Sequence, residues 1–287
     1  MDAQLPLTPE ILRAHFKRLP GSPKAVQRVL DLLRRSDVTV ANIARAVEAD
    51  TDLTLRVLRT ANSPFYGSRG GITTVRDACR VLGVHTLGNV AMAALAMSQF
   101  PATGEDAHWR RNLWRHGAAV GAVARALARN QNLSGDTAYT VGLLHDLGRI
   151  ALQACFPAQY DLALKHRDNA GLLLHEAERA VFGLDHCAVG TELINLWQLP
   201  TAIGDALSQH HPGAEGSGNV LGDLLHIADI LCKNFRLGDS GEPRAECIEP
   251  SVLTRRGIAA EQLDTWCAEL ESEAKAVLAE FDACGIG

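Results

Sequence analysis

Apolar residues in this chain return at steps of three and four between recognisable helix starts, and almost never alternate with polar ones. That spacing gathers them on one face of a helix and cannot make a half-buried strand, so it restricts the chain to an all-α fold. Thr8-Pro9 and Ser22-Pro23 each offer an N-cap followed by a proline in the first helical turn, where its missing N–H costs nothing. Val26, Val29, Leu30 and Leu33 then form one stripe, and Thr39 opens a helix carrying Ile43 and Val47. The next helix carries Leu55 and Leu58 and stops near Asn62-Ser63-Pro64, because the residue before proline resists the helical region. Thr74 caps a short helix ending at Gly83, and an Ala-rich one follows from about residue 87 to 100. Further helices are predicted near 109–130, 137–155, 158–167, 172–182, 186–197, 201–210 and 219–234. A last helix carries Leu263, Trp266, Leu270, Val277, Leu278 and Phe281.

Two Gly/Pro-punctuated polar stretches, 101–106 and 236–250, suggest three parts: an N-terminal helical subdomain at 1–103, a second at 104–235, and a break with a packing helix at 236–287. With 47% hydrophobic residues in 287, the chain can bury a sizeable core and is not disordered. Apolar stretches are interrupted before the ~18 residues that cross a bilayer, and the N-terminus does not read as a secretory signal. A cytoplasmic protein with reduced cysteines is therefore expected, and none of the seven lies close enough to another for a CxxC pair. A net charge of −5 argues against broad electrostatic binding to nucleic acid or a membrane. Residues 39–60 have a faint helix-turn-helix look, but Arg45, Arg56 and Arg59 are interspersed with Glu48, Asp50 and Asp52, so solvated faces are the better reading and DNA is not an expected partner.

Seven side chains with metal-ligand chemistry stand out: His116, the pair His145-Asp146, His186, the pair His210-His211, and Asp229. Each is separated from the next by enough chain for one or two helices. Helical proteins assemble metal sites in this way, from inward side chains on facing helices. Imidazole and carboxylate together suit first-row divalent ions, and Asp146, with two oxygens, can bridge two of them. His145-Asp146 sits inside Val141-Gly-Leu-Leu-His-Asp-Leu-Gly148, where unpaired polar groups are costly and the flanking glycines permit close backbone approach. Each residue also has a plainer reading. His116 alone is an ordinary core histidine, His210-His211-Pro212 a solvated helix end, and Asp229 the partner of an arginine. One shared site is more economical than separate explanations.

The pattern His116 … His145-Asp146 … Asp229 resembles the HD phosphohydrolase superfamily. Leu19-Pro20-Gly-Ser-Pro23, the run from Ala49-Asp50 to Asn62-Ser63, Ala78-Cys-Arg-Val-Leu-Gly83, and Glu178 … Phe-Gly183 … His186 … Trp197-Gln-Leu-Pro200 … His210-His211 are similar to its HDOD (HD-related output domain) family. The resemblance implies an HD-like helical bundle with an N-terminal helical subdomain, acting in bacterial signal transduction through protein–protein interaction. It also implies one or two divalent ions (iron, manganese, nickel, cobalt, zinc or magnesium). His116, His145, Asp146 and Asp229 would hold the first, and Asp146, His186, His210 and His211 the second. The implied partners are signalling proteins of cyclic-dinucleotide or two-component pathways, with a nucleotide as candidate ligand. The alternative is a metal-dependent phosphohydrolase acting on a nucleotide or cyclic dinucleotide, with Asp146 and Arg149 in the catalytic roles and Lys165 a second candidate cation. Three departures bear on catalysis. No Gly-Tyr-Pro loop follows His210-His211, Arg149 stands where the related phosphodiesterases carry lysine, and Asn112 replaces a glutamate. Arg149 either grips a phosphate or forms a surface salt bridge to Asp146 or Glu178.

Overall fold

The computed structural model describes residues 6–17, 24–33, 35, 37–62, 71–100, 104, 106–211, 218–243 and 247–283, and among them every regular element is a helix. The chain is all-α, as its periodicity dictates. It divides into two compact units, one of Pro20–Pro101 with Asp282–Gly285 and one of Met1–Leu19 and Ala102–Phe281 with Ile286–Gly287.

Four helices build the smaller unit: α2 (Lys24–Leu33), α3 (Val40–Glu48), α4 (Thr51–Ala61) and α5 (Val75–Gln99), with α1 (Pro9–Phe16) preceding them in the chain. Thr39, Asp50 and Thr74 accept hydrogen bonds from the backbone N–H of Asn42, Leu53 and Asp77, which satisfies donors that a helix start leaves open. The expected cap at Ser22-Pro23, like Leu19-Pro20, lies outside the described residues. α4 buries Leu53, Val57 and Ala61 rather than the expected stripe, and Leu55 is exposed. Both stripes have helical spacing, so periodicity alone could not choose between them. The two helices expected on either side of Gly83 form one element broken there, where φ is 74°. Arg45 bonds to Asn42 and Arg56 to the Met97 sulfur.

The larger unit holds α6 (Ala107–Asn130), α7 (Gly135–Leu144), α8 (Leu147–Cys155), α9 (Pro157–Ala170), α10 (Leu174–Phe182), α11 (His186–Leu196), α12 (Thr201–Leu207), α13 (Val220–Asn234), α14 (Pro250–Arg256) and α15 (Ala260–Ala283). It also takes α1, which the division at residue 103 groups with the N-terminal subdomain. Leu7 N–H donates to Phe182 O at 2.7 Å, Arg13 pairs with Glu192 at 2.9 Å, and the His15 ring lies 4.6 Å from that of Phe156. α15 buries Leu263, Leu270, Leu278 and Phe281 from its expected face.

Two close helix crossings place the centre of this unit. A Cβ at Gly142 on α7 would fall 2.5 Å from Gly121 Cα on α6. A Cβ at Gly148 on α8 would fall 2.0 Å from His186 O on α11. The glycines on either side of His145-Asp146 thus do what their position suggested, with backbone meeting backbone. Between them the single helix expected over 137–155 breaks, because Asp146 leaves the helical region at φ −93°, ψ 11°. A straight helix would turn these neighbours about 100° apart. The break lets both face the interior.

Gly142→Ala adds a methyl group between two backbones that cannot both retreat. The expected loss is about 2–3 kcal/mol of stability, read from the midpoint of chemical denaturation at unchanged slope.

Candidate metal centre

His116 comes from the middle of α6, His145 caps the C-terminus of α7, and Asp146 stands before α8. His186 opens α11, where Asp185 provides the cap by accepting from Ala188 N–H at 3.1 Å. His210 and His211 follow the end of α12 at Leu207, rather than filling its last turn as expected. Asp229 faces inward from α13. All seven meet in one place. His210 is only 1% exposed, which removes the reading of a solvated helix end.

The imidazoles are held in a common orientation. Nδ1–H of His116 donates to Leu237 O at 3.3 Å, that of His145 to Gly142 O at 2.7 Å and that of His210 to Leu207 O at 2.7 Å. Nδ1–H of His186 donates to Glu178 Oε2 at 2.6 Å. An acceptor opposite each of these Nδ1 atoms assigns one proton there and turns Nε2 inward, where it carries a lone pair whenever the ring is neutral. His116 Nε2 lies 2.9 Å from Asp229 Oδ1, and His145 Nε2 lies 3.3 Å from Asp146 Oδ2 and 3.8 Å from Asp229 Oδ1. On the other side, His186 Nε2 lies 3.5 Å from Asp146 Oδ1 and 3.0 Å from His211 Nε2. Asp146 therefore turns one oxygen to each group of histidines, as a bridging carboxylate does. His116, His145 and Asp229 each offer one ligand atom within 4.8 Å of the others, and so do His186, Cys187, His210 and His211.

The donor set fits divalent ions, with imidazoles oriented through their outer nitrogen and carboxylates between them. The same set also serves protons. Burial opposes charge on His186, but Glu178 outweighs it and raises the pKa well above the ordinary value. A charged His186 donates Nδ1–H to Glu178 and Nε2–H to His211, whose own pKa burial and His210 hold well below normal. Burial likewise opposes charge on His145, and Asp146 and Asp229 outweigh it. Burial, with the charges on His145 and His186, drives His210 down to about 3, so its Nε2 stays unprotonated at neutral pH.

Sequence reasoning missed much of the surrounding layer. Lys233, not Lys165, brings an ammonium to the centre and pairs with Asp229 Oδ2 at 2.8 Å, where an arginine was the plain expectation. Lys165 is exposed on α9. Arg149 forms its salt bridge to Asp146 Oδ2 at 2.9 Å, but within the interior, at 3% exposure, and not at the surface. Although burial resists ionisation of both acids, Lys233 keeps Asp229, and His145 with Arg149 keeps Asp146, well below the usual carboxylate range. Glu178 is fully buried and also accepts from His186 N–H at 2.9 Å, which holds the start of α11. His175 stacks on His211 at 4.3 Å, and His226 fixes the chain by donating to His210 O at 3.0 Å. Cys187 carries no signal in the sequence, where a lone cysteine has no partner spacing to mark it. Burial pushes its thiol up to about 11, so it remains an S–H beside the His210 ring. Asn112 bonds to His108 on its own helix.

The HDOD domain model matches residues 19–212, more than half of the chain. The chain belongs to the HDOD family. The matched span ends before α13, so Asp229 and Lys233 enter the HDOD centre from beyond it. An HDOD domain protein of unknown function from Geobacter sulfurreducens has the same fold, with a TM-score of 0.76 and 26% identity over 96% of this chain and 97% of that one. A Shewanella amazonensis SB2B protein, provisionally described as a phosphohydrolase, has a TM-score of 0.72 and 21% identity over 94% and 97% of the two chains. One from Marinobacter aquaeolei VT8, provisionally described as a signal-transduction protein, gives 0.69 and 24% over 95% and 64%. An uncharacterized protein of Treponema pallidum (strain Nichols) is 23% identical over 270 residues, and this chain spans about half of its length. Among the described residues, no single helix is long and apolar enough to cross a membrane.

Two measurements probe the centre. Protons raised onto His145 and His186 compete with an ion for Nε2, so affinity for manganese or zinc falls as pH drops through their elevated pKa values, and ion uptake releases protons in a calorimeter. Glu178→Gln removes the charge behind His186 while keeping its shape, and weakens ion binding roughly 10- to 100-fold in the same titration.

Proposed function

We propose that this HDOD protein is a bacterial cytoplasmic signalling output protein that acts by binding other signalling proteins, with an HD-type ion centre that stabilises its binding-competent form. One observation carries the reading: the donors of the centre, half-buried His211 apart, are buried and already paired within the protein. His116, His145, Asp146, His186, His210 and Asp229 are all 7% exposed or less. Each carboxylate already has an internal cation, Arg149 for Asp146 and Lys233 for Asp229. Such a centre can hold its fold together through bound ions, while a phosphoester would have to displace these pairings to reach an ion there. HDOD membership supports the signalling role, as does the fold shared with a protein provisionally described in those terms.

The completeness of the donor set favours a second reading, a metal-dependent phosphohydrolase of nucleotides or cyclic dinucleotides. Bound divalent ions would supply Lewis acidity toward a phosphoryl oxygen. Asp146 would orient both groups of histidines, and Arg149 would hold a phosphate only by sharing the guanidinium that now binds Asp146.

Elemental analysis of purified protein, followed by assay of a model phosphodiester and a nucleotide panel with added manganese or iron, separates the readings. The first expects bound ions, a rise in melting temperature with manganese, and no turnover above that of Asp146→Ala. Turnover that Asp146→Ala abolishes would replace it with the second.

A further inference from the structure

The stretch that reads in the sequence as a polar break lies across the centre. Residues 237–242 leave α13 through Arg236, a non-glycine residue held at φ 55°. Leu237 N–H donates back to Cys232 O at 2.9 Å, and Leu237 O accepts the Nδ1–H of His116. At Gly238, φ 73°, a Cβ would fall 2.6 Å from His116 Cα, so this backbone rests directly on α6. Gly241 O accepts from Arg167 Nη1 of α9 at 2.6 Å. Glu242 Oε2 accepts from Leu174 N–H at 2.9 Å, where the carboxylate satisfies a donor at the start of α10 that Leu173 has no side-chain acceptor to cap. α10 carries Glu178 and His175, the partners of His186 and His211. One short segment therefore touches the helix of the first histidine group and the helix that supports the second.

Beneath it lies an unspent group. Arg149 Nη2 is buried with no hydrogen-bond partner, and a Cβ on Gly241 would sit 3.2 Å from it and 3.9 Å from Trp109 Nε1. Gly241 covers the one arm of Arg149 that Asp146 and Tyr160 do not occupy.

We propose that residues 237–242 are a strap that closes the ion centre, latched by Arg167 on Gly241 O and Glu242 on Leu174 N–H, and that it lifts as a unit while the helices stay folded. Leu237 anchors the segment in the core and the latches beyond it are polar, whereas α6 and α13 are buried along most of their length. Three residues in the left-handed region, Arg236, Gly238 and Gly241, leave the backbone with little regular bonding to lose. Segments of this kind open at free energies well below that of global unfolding. Lifting the strap frees Nδ1 of His116, the start of α10 and the outward arm of Arg149 together. That opens a route for an ion to the interior.

The test is hydrogen exchange by mass spectrometry on the full chain after chelator treatment, so its first readout does not depend on ion binding. Arg167→Met with Glu242→Ala removes the latch, and exchange of peptides covering 237–242 rises about tenfold or more while α6 and α13 keep their protection. Gly238→Ala pushes the strap off His116 by contact alone and gives the same local pattern. In manganese-loaded protein, for which the strap rests on the reading of the centre given above, both variants lose the ion to EDTA faster by a similar factor. Strap exchange unchanged in the latch variant, or rising only together with α6 and α13, overturns the proposal. If the strap opens as described but no ion binds, the ion centre falls and the strap stands.

Discussion

The two backbone-on-backbone crossings that flank His145-Asp146 organise the rest of the larger unit. Gly142 against Gly121 and Gly148 against His186 bring α7 onto α6 and α8 onto α11 as closely as main chains allow. Any side chain larger than hydrogen at these points would part the helices by an ångström or more. The turn between α7 and α8 would then leave the position from which Asp146 reaches both groups of histidines. Packing at this density passes small displacements on instead of absorbing them.

The second constraint is electrical. Asp146, Asp229 and Glu178 lie in the same interior, and isolated carboxylates cannot stay ionised there without partners. Arg149 and Lys233 compensate two of them, and a charged His186 compensates the third. The result is a centre whose buried acids are balanced by neighbouring basic groups, with a donor set that fits divalent ions. A hydrolytic site needs open coordination positions and a path for substrate. Here Asp146 and Asp229 are each paired with a basic side chain, and the loop from 237 to 242 lies against His116 and Arg149.

Some of this was legible in the chain. Periodicity gave the helical class, because the step of three and four has no other use. The ligand candidates were legible as a set, because seven ionisable or imidazole groups among Ala, Leu and Gly are costly unless they share a purpose. The bent pair was not legible. The segment from 137 to 155 is helical in pattern throughout, and only packing against two different helices breaks it at Asp146. Lys233 was invisible for a related reason. One turn beyond Asp229 on a helix, it has the spacing of an ordinary surface pair, and only the burial of Asp229 on α13 draws its ammonium inward. The stretch 236–250 reads as a break between helices, and such a polar, Gly/Pro-punctuated composition marks turns without saying what the turns lie against.

By itself, the sequence determined an all-helical chain, the HDOD family pattern, and which side chains had the chemistry to bind ions, since these follow from local spacing and residue type. Tertiary structure alone decided which oxygen faces which nitrogen, which cations neutralise the acids, and that the centre is covered. Those depend on contacts between helices far apart in the chain, where burial and the geometry of each pair decide which partner an acid finds.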